Sequence, residues 1–107
     1  MKLIDLLINS AAGRPKQTAI ISDEIEITYR QMLLDVQSLA EKLKSAGCDR
    51  GVKAAILLGN SAEYLVSFFA ISAAGGIIFP LSQQMTSLEA ARYIERADVS
   101  MVITKQG

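Results

Sequence analysis

The spacing of apolar residues changes period repeatedly along the chain, and each change predicts a change of element. From Leu3 to about Ala12 the apolar residues around Asp5 suit a short amphipathic helix. Gly13-Arg14-Pro15 stops it, because proline cannot continue a helix and biases Arg14 away from the α region. Thr18 to Ser22 and Ile25 to Thr28 are short β-prone runs around Asp23-Glu24, the pattern of a small hairpin. Tyr29, Met32, Leu33, Val36, Leu39, Ala40, Leu43 and Ala46 then recur at three- and four-residue steps, with Arg30, Gln31, Asp35, Gln37, Glu41, Lys42 and Lys44 on the other face. This is the pattern of an amphipathic surface helix. Thr28-Tyr29-Arg30-Gln31 is a capping box at its start, and Gly47 supplies the left-handed residue that closes it.

The period then shifts to a continuous apolar run. Val52 to Leu58 reads as a strand buried on both faces, as in a parallel sheet covered by helices. Asn60-Ser61-Ala62-Glu63 is a second capping box and opens a helix to about Ala74, ended by Gly75-Gly76. Ile77-Ile78-Phe79 predicts another buried strand, stopped by Pro80. Thr86-Ser87-Leu88-Glu89 is a third capping box, opening a helix to about Ala97, and Val99 to Thr104 predicts a last strand. From residue 28 onward the order is α-β-α-β-α-β with short turns, which implies parallel strands joined by right-handed crossovers. The predicted fold class is α/β: an open, mostly parallel three-layer α/β/α sheet with a small N-terminal β-hairpin. Residues 1–107 are expected to form a single domain, since no internal repeat, linker or low-complexity stretch divides them.

Composition narrows what such a domain does. Half of the residues are apolar and 21% are charged, the balance of a folded globule. Eleven basic and eleven acidic residues cancel, so no net field draws the chain to nucleic acid or an anionic membrane. The aromatics Tyr29, Tyr64, Phe68, Phe69, Phe79 and Tyr93 fall at core-like positions, which argues against a base-stacking surface. Between Ala54 and Leu88 the only charge is Glu63, so a membrane span over Tyr64 to Leu81 has to be weighed. Gly75-Gly76 and Pro80 interrupt that stretch and no Lys or Arg anchors flank it closely, which favours a covered sheet over a span. With one cysteine, Cys48, no internal disulfide forms, and with no secretory signal the expected location is the cytoplasm.

Candidate chemistry is sparse. The chain has no histidine, so a Cys–His pair on Cys48 and a His-containing zinc site are both excluded, and Cys48 reads as a turn residue. Gly47-Cys48-Asp49-Arg50-Gly51-Val52-Lys53 has glycines and a lysine but follows a helix and enters a strand, the reverse of a phosphate cradle. Gly75-Gly76 ends a helix, so it is no dinucleotide fingerprint. Asp23, Glu24 and Glu26 read as a solvated turn in preference to a metal or acid–base cluster. Ser61 and Thr86 have capping roles that account for them. No residue is assigned a catalytic, cofactor-binding or metal-binding role.

Four pieces in order nevertheless resemble a known family. Ile27-Thr28-Tyr29-Arg30-Gln31-Met32, with Leu39-Ala40 and Leu43 before Gly47, is similar to the thr-tyr-x-glu-leu helix near the start of adenylate-forming enzymes. These comprise acyl- and aryl-CoA synthetases, the adenylation domains of nonribosomal peptide synthetases, and luciferases. Gly51 to Glu63 resembles the family's gly-asp-x-val-ala-ile strand and asn-ser-x-glu helix start, with Val52 in place of the usual acid and Gly59 where proline is common. Phe69 to Leu81 resembles the early motif of helix, two small residues, strand and pro-leu, and Thr86 to Ile103 resembles the helix and strand that follow. Phe68-Phe69 and the pro-leu ending lean toward the acyl-CoA synthetase branch.

The resemblance implies an N-terminal subdomain of an ATP-dependent ligase that turns a carboxylate and ATP into an acyl-adenylate and pyrophosphate, then transfers the acyl group to a thiol. ATP, Mg2+ and CoA are implied for the full-length family member, and none for this segment. The Ser/Thr/Gly-rich phosphate loop, the magnesium glutamate and the C-terminal-domain lysine of the family all fall beyond Gly107, so this chain alone is expected to be catalytically incompetent. Its expected partner is the rest of the parent polypeptide, with self-association through exposed apolar edges in its absence. A stand-alone, non-catalytic α/β binding or interaction module is the alternative. A nucleotide-binding flavodoxin-like domain is a third reading, weakened by the missing phosphate loop.

Overall fold

The computed structural model describes residues 3–22, 25–58, 62–82 and 84–104. Helix α1 spans Leu3–Gly13, and strands β1 (Thr18–Ser22) and β2 (Ile25–Thr28) form an antiparallel pair whose register shifts between Thr18 and Ile20. Helix α2 (Tyr29–Ser45) follows without a break. Its capping box is formed in both directions: the Gln31 amide donates to Thr28 Oγ1 at 3.2 Å, and the Thr28 amide donates to Gln31 Oε1 at 3.1 Å. Met32, Val36, Ala40 and Leu43 form its buried stripe, while Ala46, predicted on that stripe, is exposed at the C-cap. Gly47 has a φ of 103°, the conformation that its place after the helix requires.

Strand β3 (Lys53–Leu57) is the centre of the second sheet, and helix α3 (Ala62–Ala74) leads from it to β4 (Ile77–Pro80). Helix α4 (Ser87–Ala97) leads on to β5 (Met101–Thr104). The order is β4-β3-β5, and both pairings are parallel. The alternating faces of β3 explain the layers. Ala54 and Ile56 pack with Val36, Ala40 and Leu43 of α2, Ala70, Ile71 and Ala74 of α3, and Leu7 of α1. Ala55, between them, points the other way and packs with Leu81 and Ala90, with Leu57, Phe79 and Ile94 around them. The architecture is three-layered: α1, α2 and α3 on one face, α4 alone on the other.

Several local expectations need correction. Val52 and Leu58 flank β3, and Val99 and Ser100 precede β5, although Val52 O accepts the Ile77 amide at 2.7 Å and the Ser100 amide donates to Lys53 O at 3.0 Å. Strand β4 is an edge strand and not a buried one, so Ile77 is half exposed. Pro80 does not stop β4 but is its last residue, paired with Ile56. An edge strand tolerates the missing donor, and Leu81 resumes the ladder by donating its amide to Ile56 O at 2.9 Å. Tyr93, counted among core-like aromatics, is also half exposed. The predicted capping box at Asn60 to Glu63 falls partly outside the described residues.

Candidate functional site

A parallel open sheet offers ligands the crevice at the carboxyl ends of its strands, where neighbouring crossovers leave toward opposite faces. In the order β4-β3-β5 the reversal falls between β3 and β5. The chain leaves β3 toward α3 on one face and leaves β4 toward α4 on the other. At the end of β4, Leu81 is buried, and Ser82 and Thr86 follow it. Both hydroxyls are engaged locally. Ser82 Oγ accepts the Gln84 amide at 3.1 Å, and Thr86 Oγ1 accepts the Glu89 amide at 3.1 Å. The Thr86 amide in turn donates to the Glu89 carboxylate at 3.1 Å. These hydrogen bonds hold the carboxyl of Glu89 below the usual glutamate range.

The stretches weighed in the sequence are scattered. Glu26 is exposed on β2 and accepts a long 3.4 Å bond from Thr18 Oγ1, while Asp23, Glu24 and Ser61 lie outside the described residues. Thr86 is a cap, as its sequence context implied. Cys48 sits in the turn before β3 but is 1% exposed, so it is a packing residue as well. Burial pushes its thiol pKa up, and the neighbouring Asp49 charge adds to the effect. Its sulfur lies where a Cβ on Gly76 would come within 2.8 Å, so the close approach of α3, β4 and this turn needs glycine there. Lys53, the lysine of the rejected phosphate-cradle stretch, donates Nζ to Ala97 O at 2.6 Å. It ties the C-terminus of α4 to the start of β3, a long-range role that nothing in its local sequence announces.

Among the described residues, no three His, Cys, Asp or Glu side chains come together to hold a metal ion. No glycine-rich loop leads from a strand into a helix among them either. The described residues therefore do not fit the phosphates of ATP or a magnesium ion. What they provide is a parallel strand pair, β3 and β4, packed against helices on both faces. An apolar hollow of about 220 Å³ lies elsewhere, between α1, β1, α2 and α3, and includes Leu6, Leu7, Tyr29, Met32, Leu65 and Phe69. No helix among the described residues is long and apolar enough to cross a membrane.

Residues 7–107 match the family of the AMP-binding enzyme, and the chain belongs to that family. It is similar to a long-chain-fatty-acid–CoA ligase of Bacillus subtilis, 31% identical over 95% of this chain and 18% of the relative. It is also similar to a 2-succinylbenzoate–CoA ligase of Bacillus cereus, 32% identical over 86% of this chain and 19% of that protein. The chain thus spans about a fifth of the length of the curated relatives it matches. In fold it resembles the N-terminal subdomain of NpsA from Klebsiella oxytoca, with a TM-score of 0.87 and 21% identity over 96% of this chain and 27% of that one.

Proposed function

We propose that the chain is the N-terminal portion of an ATP-dependent acid–thiol ligase, of the acyl-CoA synthetase kind, and serves it as a scaffold. The family match over residues 7–107 carries this reading, and the similarity to two CoA ligases supports it. In the overall reaction a carboxylate oxygen bonds to the α-phosphorus of ATP as pyrophosphate leaves. A thiol sulfur then bonds to the acyl carbon as AMP leaves. ATP, Mg2+ and CoA are the cofactors and co-substrates of that reading, bound by residues outside this chain. The 107-residue chain contributes no reacting group and does not catalyse either step by itself.

Its contribution is positional. Both faces of β3 are packed, and Ala54, Ala55 and Ile56 are fully buried, so the strand ends are held rigidly. A frame of this kind lets residues supplied by the remaining polypeptide meet in a fixed geometry, which is where catalytic advantage from orientation originates. The test reads the coding frame past Gly107. Continuation into a Ser/Thr/Gly-rich loop ending in lysine supports the ligase scaffold. An immediate stop codon contradicts it and leaves the chain as a non-catalytic binding module.

A further inference from the structure

We draw no further inference here: the strongest candidate, the apolar hollow between α1, β1, α2 and α3 that Leu6, Leu65 and Phe69 line, carries nothing, because nothing in the structure shows what covers it in a chain that spans about a fifth of its relatives' length.

Discussion

Gly76 and Cys48 meet where the turn before β3, the end of α3 and the start of β4 converge. A Cβ on residue 76 would lie 2.8 Å from Cys48 Sγ and 3.1 Å from both Ile71 Cγ2 and Val52 O. Two of those neighbours are side chains packed in the core and the third is backbone, so relief requires the core to move. Gly76→Ala is therefore expected to destabilise by about 1–3 kcal/mol, read as a lower urea midpoint with an unchanged slope. The raised pKa and burial of Cys48 predict that a thiol reagent labels it at the rate of opening and not at the rate of a free thiol. Labelling as fast as in urea-unfolded protein would contradict the packing described. Cys48 was legible in the sequence only as a turn residue, because burial of a loop sulfur depends on what the rest of the chain places over it.

At the level of elements, α4 is held by devices at both ends. Its start is a reciprocal capping box between Thr86 and Glu89, and its end is tied to β3 by the Lys53 bond to Ala97 O. Thr86→Ala is expected to cost about 1 kcal/mol, the usual value for losing such a cap, measured by chemical denaturation. The same cap has a pH signature. The folded pKa of Glu89 is depressed, so its contribution is fully present above the ordinary glutamate pKa and is lost as pH falls through the lower folded value. Stability of the wild type should therefore fall more steeply below about pH 4.5 than that of Glu89→Gln, which has no carboxyl to protonate there. At the other end, Lys53→Met is expected to cost about 1 kcal/mol and to raise amide exchange in the last turn of α4. A uniform rise across the chain would show instead that the bond matters only to global stability.

The capping boxes at Thr28 and Thr86 were readable because the residues that make them lie within four positions of one another. The Lys53 bond was not, because it spans forty-four positions and its geometry exists only once β3 and α4 are packed. Strand β4 shows the same division. Its apolar run announced a strand, but a run of Ile77-Ile78-Phe79 does not say whether one neighbour or two will flank it. Its edge position, and with it the place of Pro80 inside the ladder, follows from the order β4-β3-β5.

For the whole molecule, the α/β alternation was legible and the assignment of helices to faces was not. Helix α3 packs on one face and α4 on the other, and both helices are amphipathic or apolar enough to have gone either way. The proposed function has the chain organise an adenylate-forming site and supply none of its reacting groups. Carboxylate-dependent exchange of labelled pyrophosphate into ATP measures the first half-reaction directly. Exchange is expected from the full protein with at least one member of a panel of fatty, aryl and amino acids, and none from residues 1–107 alone. Exchange catalysed by residues 1–107, or no exchange by the folded full protein with any acid of the panel, would contradict it.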